Sequence, residues 1–387
     1  MTDACKPDPP CVADVTGYGP TCWRLRDGAV RCAGDNTRDL LGLEAGDHHH
    51  PRPTPWARYP RVDDLHVGHG FGCALLPGGA VECWGSRLYG RLGDGSTEGS
   101  RVEGAPVVGL PPVVELVGGF DFTCGRTAEG AVWCWGGDIE GEQGNGDGSD
   151  DGSSDDGSGD APTAHRLALR PARALAAGAR HACAIADDET VWCWGAHHAA
   201  YTPDPMERAM TAPTRVGDLT APGARLAMQL WGACLVGPRG EARCWGRHRG
   251  PAADEIDPPT APLTVYPGVR EIVIANEHTC VVTADGARVR CAGDDRDGRL
   301  GGEPSEAAEE AEDAEVRWVD VALPFTEPVV RLHGQPDGTC AISLRGDVAC
   351  WGDNHRGQLG VGADPEAEET RSDDADAVVP LPRRPDW

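Results

Sequence analysis

The chain has 387 residues and a formal charge of −27, with 35 Lys and Arg against 62 Asp and Glu. Such a surface repels phosphate backbones and anionic lipid surfaces, so no nucleic acid is expected as a partner. No apolar run reaches the roughly 18 residues that a membrane-spanning helix needs, so no transmembrane segment is expected. Glycine (53) and proline (32) are abundant, aromatics make up 5%, and short apolar runs alternate with turn residues, which reads as all-β. The length exceeds one ordinary core unless the fold is a repeat or a barrel. The Ala, Gly, Pro and Arg bias is that of a GC-rich genome and predicts a bacterial source.

Residues 1–16 read as an N-terminal extension without the apolar stretch of a secretory signal. One phrase then recurs: CWRLRDGAVRCAG from Cys22, CALLPGGAVECWG from Cys73, CGRTAEGAVWCWG from Cys124 and CAIADDETVWCWG from Cys183. It continues with CLVGPRGEARCWG from Cys234, CVVTADGARVRCAG from Cys280 and CAISLRGDVACWG from Cys340. The seven copies lie about 46 to 60 residues apart, giving approximate repeats 17–67, 68–117, 118–177, 178–228, 229–274, 275–332 and 333–387. Upstream of each first cysteine stands a short apolar strand, as in VVELVGGFDFTC. Downstream of the second comes a Gly-rich turn: YGRLGDG after Trp84, EGEQGNG after Trp135, DGRLGG after Cys291, RGQLGVG after Trp351. A Pro-led strand such as Ala105 to Leu110 completes the unit. Four short strands per unit predict a seven-bladed β-propeller forming a single domain over 1–387. The fourth and fifth copies lack the Gly-rich turn. Two acidic insertions interrupt the pattern, at 144–160 and 303–315, the second expected as a short solvated helix or a disordered run. The segments CVADVT and AVVPLPRRPDW predict that the N- and C-termini share one blade.

Within CALLPGGAVEC, opposed residues sum to one constant, so Cys73 faces Cys83 and Leu76 faces Ala80. Pro77, Gly78 and Gly79 are left as a three-residue loop whose last position wants a left-handed residue. The same count puts Gly28, Gly130, Gly240 and Gly346 in that slot, and Glu189 in the fourth copy. The sixth copy has one extra residue and predicts a two-residue Asp285-Gly286 turn with the cysteines still opposed. Counting outward makes each cysteine pair non-hydrogen-bonded, with Cα atoms about 4.5 Å apart and within disulfide reach. The predicted bridges are Cys22–Cys32, Cys73–Cys83, Cys124–Cys134, Cys183–Cys193, Cys234–Cys244, Cys280–Cys291 and Cys340–Cys350. Cys5–Cys11 would close a small N-terminal loop. The short spacings of a zinc knuckle or a redox pair are absent; buried free thiols remain the alternative. A loop of this size stabilises by about 2–3 kcal/mol per bridge in the chain-entropy account. Persistent disulfides imply an oxidising compartment, so the protein is expected to be secreted, periplasmic or envelope-attached.

The seven phrases with their G-x-L-G tails resemble the regulator of chromosome condensation repeat family over essentially the whole chain. The resemblance implies a seven-bladed propeller. The family's namesake exchanges nucleotide on the small GTPase Ran, so a guanine-nucleotide exchange regulator is one implied function; it needs a cytosolic location and reduced thiols.

Trp84, Trp135, Trp194, Trp245 and Trp351 each follow a second cysteine and are expected to pack between blades; Ala33 and Ala292 replace them in the first and sixth copies. His181 and His278 stand two residues before a first cysteine, where Phe71 and Phe122 stand elsewhere, so a structural place near the ring axis is expected. Asp47 to His50 reads as a surface loop with a possible metal role. In the first insertion Asp147, Asp150, Asp151, Asp155 and Asp156 are hard oxygen donors suited to weak calcium binding, without the spacing of an EF-hand. No other cofactor is indicated. No nucleophile elbow or phosphate-binding loop occurs, and no enzyme class stands out.

Variable connecting loops would then bind an unknown protein partner from one face: Ser86 to Arg91, Asp138 to Gln143, His197 to Tyr201, Arg247 to Arg249, Asp295 to Arg299 and Asn354 to Gln358. Their arginines, tyrosines and histidines are interface-prone: Arg87, Tyr89 and Arg91; His197, His198 and Tyr201; Arg247, His248 and Arg249; Arg296, His355 and Arg356. The sequence reads as a monomeric extracytoplasmic binding scaffold; an enzyme, a hydrolase or lyase with a site in the central channel, is the second reading.

Overall fold

The computed structural model describes residues 11–36, 49–56, 58–146, 160–196, 209–230, 232–246, 264–302 and 318–360. They form a seven-bladed propeller of antiparallel sheets with no α-helix among them. The first blade comprises β1 (Val12–Thr16), β2 (Thr21–Leu25), β3 (Val30–Asp35) and β4 (His49–Pro55); the second β5 (Asp64–Gly68), β6 (Phe71–Leu75), β7 (Val81–Ser86) and β8 (Ser100–Pro106). The third holds β9 (Glu115–Gly118), β10 (Phe122–Arg126), β11 (Val132–Gly136) and β12 (Ala161–Arg166); the fourth β13 (Ala172–Ala177), β14 (His181–Ala186), β15 (Thr190–Ala196) and β16 (Ala209–Thr220). The fifth has β17 (Arg225–Gln229), β18 (Gly232–Val236), β19 (Glu241–Gly246) and β20 (Thr264–Pro267); the sixth β21 (Val269–Ile274), β22 (His278–Thr283), β23 (Val289–Gly293) and β24 (Val319–Asp320). The seventh shows β25 (Val329–Gln335), β26 (Gly338–Ser343) and β27 (Val348–Gly352).

Each blade is a meander in sequence order, and first strands of neighbouring blades lie against one another, so these seven strands line the axis. Two ends of the ring follow. The loops between first and second strands, and between third and fourth, emerge on one side, the loop face. The cysteine hairpins turn on the other, the hairpin face.

In every blade the two cysteines are direct partners in the ladder, as with Cys73 opposite Cys83, and their Cα atoms lie 4.0–4.1 Å apart. All seven hairpin bridges are those the spacing predicts. Cys11 is also disulfide-bonded; Cys5 lies outside the described residues. The three-residue loop closes with Leu76 N–H donating to Ala80 O at 2.8 Å and Gly79 N–H to Leu76 O at 3.0 Å, with Gly79 at φ +88°. Glu189 adopts the same left-handed conformation at φ +65°. Its carboxylate takes Arg173, whose Nη2 lies 2.6 Å away and also donates to Ala221 O and Ala224 O, so the strained residue ties down the link to the next blade.

The sixth hairpin differs from expectation. It is not a two-residue Asp285-Gly286 turn. Thr283 pairs with Arg288, and Gly286 N–H donates to Thr283 O at 2.7 Å, closing a four-residue loop. The turn found in the other blades is therefore kept, with glycine in its usual place, and the extra residue, Ala287, is inserted after it.

The tryptophans pack against the preceding blade's bridge. Trp135 of the third blade joins Cys73, Cys83, Leu75 and Val81 of the second; Trp194 joins Cys124 and Cys134; Trp351 joins Cys280 and Cys291. The Gly-rich tail forms the lid of the indole at Trp135, Trp194 and Trp351. A Cβ on Gly93 would come within 2.9 Å of Trp135, and one on Gly301 within 2.6 Å of Trp351. The two copies without this tryptophan fill the space from other strands. Trp23, diagonal to Ala33, packs on Cys340 and Cys350 beneath Gly360. At the junction of the fifth and sixth blades Tyr266 and Trp318 meet edge to face and pack with the Cys234–Cys244 bridge, where the sixth copy has Ala292.

Among the described residues the two ends are not seen in one sheet. β1 pairs with β2 and opens the first blade, while the fourth-strand position of the seventh blade falls in 361–387, outside the described residues. The ring joins blade to blade there: Val12 N–H donates to Gly346 O at 3.1 Å, Arg331 meets Asp14 at 2.7 Å, and Arg356 meets Asp35 at 2.9 Å. His49 and His50, expected in a surface loop, begin β4 and extend its ladder with β3.

Candidate functional site

The loop face is organised by a local motif. Gln143, Leu300 and Leu359 each donate their N–H to the carboxylate or amide five residues earlier, Asp138, Asp295 and Asn354, at 2.9–3.0 Å. That bond folds the tail inward over the next blade. In consequence Asp138, Glu142, Gln143 and Asn354 are buried, and much of the expected binding surface is interior.

Arg91 is the clearest correction. Expected on the surface, it is 2% exposed. Its guanidinium lies 2.8 Å from Asp121 of the third blade, donates to His69 O, and faces the rings of Tyr89 and Phe71 at 5.3 and 6.0 Å. The same clamp recurs: Arg299 meets Asp337 of the seventh blade at 3.0 Å. Between the third and fourth blades the polarity is reversed, with Glu142 in the tail and Arg180 in the next blade at 3.3 Å. Burial pushes the Glu142 carboxyl up to about 8, opposed by backbone N–H donors and Arg180.

Tyr89 is half-buried at φ +61°, and Arg87 pairs with Asp94 at 2.8 Å. Arg296, His355 and Arg356 are exposed on the loop face, each beside an acid: Asp294, Asp353 and Asp35. His197, His198, Tyr201, Arg247, His248 and Arg249 lie outside the described residues, as do the acidic insertions, including Asp147, Asp150, Asp151, Asp155 and Asp156. Among the described residues no group of His, Cys, Asp or Glu has metal-binding geometry.

At the loop-face end of the axis, loops from blades that are not neighbours meet. Ala179, Leu230 and Ala275 form a buried apolar cluster with Tyr18 and Phe120 packed on it. Backbone bonds run between these loops, from His69 N to Phe120 O, Phe120 N to Ala179 O and Ala179 N to Leu230 O, at 2.8–2.9 Å. An apolar plug thus sits at that end. His181 and His278 are buried, as expected; His278 contacts Thr339 Oγ1 at 2.8 Å, and burial, with Arg299 nearby, pushes its imidazole down to about 3.

Sequence reasoning missed the channel wall. The innermost strands carry two layers of side chains on one side. The deeper layer is Thr16, His66, Val117, Ala176, Ala227, Val273 and His333, each opposite a first cysteine. The layer nearer the hairpin face is Asp14, Asp64, Glu115, Ala174, Arg225, Glu271 and Arg331, two residues earlier on each strand. Most of these are partly exposed, whereas Val15, Leu65, Leu116, Leu175, Ile272 and Leu332, which alternate with them, are buried against the preceding blade. An innermost strand is covered on both flanks, so water reaches these side chains along the axis. Arg225 meets Glu271 at 2.9 Å, Arg331 meets Asp14 at 2.7 Å and Arg126 meets Glu115 at 2.6 Å. Burial, with Asp14 adding to it, pushes Asp64 up to about 6, and burial pushes His66 and His333 down to about 4. The signal was present in the sequence: six of these ring residues stand nine positions before a first cysteine, and Asp14 stands eight before Cys22.

A family model for the regulator of chromosome condensation (RCC1) repeat matches residues 113–142 and 172–198, within the third and fourth blades. No curated protein sequence matches the chain. Among solved structures, Prp20p from Saccharomyces cerevisiae is similar at TM-score 0.69 and 18% identity, over 91% of this chain and 85% of that one. The structure of Kap60 bound to yeast RCC1 (Prp20) gives TM-score 0.68 and 18% identity, over 89% and 82%. The ectodomain of the Arabidopsis thaliana receptor kinase ACR4 gives TM-score 0.50 and 17% identity, over 89% and 96%. At such identities the likeness is one of fold.

Proposed function

We propose that this member of the regulator of chromosome condensation repeat family is an extracytoplasmic protein-binding scaffold of bacterial origin, monomeric, acting by recognition and not by catalysis. The observation that carries the reading is the bridge in every blade, with cysteines at most 2% exposed beneath the neighbouring blade's aromatic ring. A bridge repeated in all seven blades suits a protein working in an oxidising compartment. The solved ACR4 ectodomain, an extracellular part by its description, is a similar fold. Protein recognition is supported by the similar structures whose descriptions record protein partners: Kap60 for yeast RCC1, and Gsp1p and histones for Prp20p. The binding residues are the exposed basic side chains of the loop face, Arg296, His355 and Arg356, together with residues 197–201 and 247–249. The apolar plug at the axis supports binding over a channel enzyme entered from that face.

Two measurements test this. Thiols are alkylated before cell lysis and the intact mass is read; full protection is expected, and labelling at the hairpin cysteines overturns the location. Partner capture is then compared for the parent, an Arg296→Glu/Arg356→Glu variant, and an Arg345→Glu variant on the hairpin face. Loss only with the loop-face pair is expected; equal capture by all three overturns the assigned face.

A further inference from the structure

The apolar cluster sits at the loop-face end of the channel, and the charged layer lies near the hairpin face. The lining is divided. Blades six, seven, one and two contribute Glu271, Arg331, Asp14 and Asp64, with the imidazoles of His333 and His66 one layer deeper. Blades three to five contribute Glu115 and Arg225, engaged by Arg126 and Glu271, and between and below them the aliphatic surface of Val117, Ala174, Ala176 and Ala227. Across the channel the charged groups act on one another, since Arg331 of the seventh blade feels Asp64 of the second, with a whole blade between them.

The charges nearly cancel, but not completely. Glu271 has Arg225, Asp14 has Arg331 and Arg24, and Glu115 has Arg126. Among the described residues no arginine lies within ion-pair distance of Asp64. Its oxygens accept only backbone N–H groups, from Leu65 at 2.9 Å and Leu116 at 3.4 Å. A deeply set carboxylate with spare acceptor capacity, facing an aliphatic half-wall, has the chemistry of a receptor for an organic cation on an apolar stem. An anion is disfavoured because both ring arginines are already engaged.

We propose that the channel receives one basic side chain, lysine or arginine, of a protein partner, inserted from the hairpin face with its cation on Asp64 and its stem along Ala174, Ala176 and Val117. This rests on the protein-binding reading and adds a second contact face to it. The ionisation of Asp64 supports the idea: a carboxyl held near pH 6 by burial and by Asp14 gains most from an arriving cation. The charged and titratable groups around it are Asp14, Arg24 and Arg331, Glu115 with Arg126 on the third blade, Glu271 with Arg225 in the same ring, and the imidazoles of His66 and His333, which burial keeps uncharged.

The test is calorimetric titration of the intact protein with n-butylammonium and n-butylguanidinium, with n-butanol and sodium chloride as controls, at pH 7.5 and 5.0. The parent should take up one of the two cations saturably, and which one tells lysine from arginine. Asp64→Asn should weaken uptake at least tenfold, pH 5.0 should weaken it several-fold, and Ala174→Leu should block the stem. Thermal melts of both variants establish that they are folded. No saturable uptake by the parent, or equal uptake by folded Asp64→Asn, overturns the proposal. Partner capture through the loop face is a separate readout: if it persists while the cations fail, the channel inference alone falls.

Discussion

Replacing Arg91 by alanine should destabilise the ring far more than its place in a surface loop suggests. The guanidinium and the Asp121 carboxylate are 2.8 Å apart and 3% and 10% exposed. Removing one partner of such a pair leaves a buried charge and costs about 3–5 kcal/mol. The His69 carbonyl loses its donor at the same time. For a chain of 387 residues, an unfolding entropy of about 2.1 cal/mol/K per residue gives roughly 0.8 kcal/mol/K, so the loss should lower Tm by about 4–6 °C. The assay is differential scanning calorimetry at one scan rate, with Arg356→Ala as control. Arg356 also crosses a blade junction, to Asp35, but its side chain is 61% exposed, and surface pairs contribute about 0–1 kcal/mol. The double replacement Arg91→Met/Asp121→Leu should recover much of the loss, since both charges leave together. If Arg91→Ala melts within about 1 °C of the parent, the clamp is not a clamp and the reasoning fails.

Asp64→Asn should raise stability above pH 6. Burial raises its folded pKa to about 6, above the ordinary 3.8 of an aspartate. The native state therefore favours the protonated form, and a penalty grows as pH rises from about 4 to 6, reaching at most about 3 kcal/mol. A melt at pH 7.5 should show the variant above the parent by a few degrees, with the difference vanishing near pH 4; a lower-melting variant at pH 7.5 contradicts the assignment. Glu189→Ala should cost more than Glu189→Gly, because alanine keeps the left-handed strain and loses Arg173, while glycine loses only the ion pair. Urea midpoints in the reverse order would count against this account of the fourth hairpin. Native protein in dithiothreitol should keep its hairpin bridges, with alkylated mass changing only on addition of denaturant, since these cysteines are at most 2% exposed. Rapid reduction without denaturant would mean that the blades separate readily.

The cysteine hairpins were legible because their logic is local: ten or eleven residues, one turn and one pairing rule contain the whole argument. Even there the sixth copy shows a limit, since symmetry suggests a two-residue turn and the preference for glycine in its usual place wins. The tryptophan layer was legible in five copies and not in two. Trp23, Tyr266 and Trp318 replace the missing rings from different strands, and only the packed ring reveals it. Arg91 was misread for a related reason. A loop arginine looks exposed until the next blade's Asp121, about thirty residues on, is placed above it. The channel layer was missed because its residue type varies from Asp to Ala to Arg while its position relative to the cysteine hardly does. A search by residue type finds nothing there, whereas one by distance from the cysteine finds it.

The described bridges join residues only 10 or 11 apart, and none crosses between blades. A chain entering an oxidising compartment N-terminus first can therefore close each hairpin soon after it emerges, with its intended partner the nearest thiol. The remaining thiols are still far behind, so scrambled pairings have little time to form. The same arrangement makes the blade a self-sufficient unit of inheritance. A whole copy can be duplicated, lost or exchanged without leaving an orphan cysteine, and a copy with the Gly-rich tail brings a lid for the aromatic ring of the copy that follows.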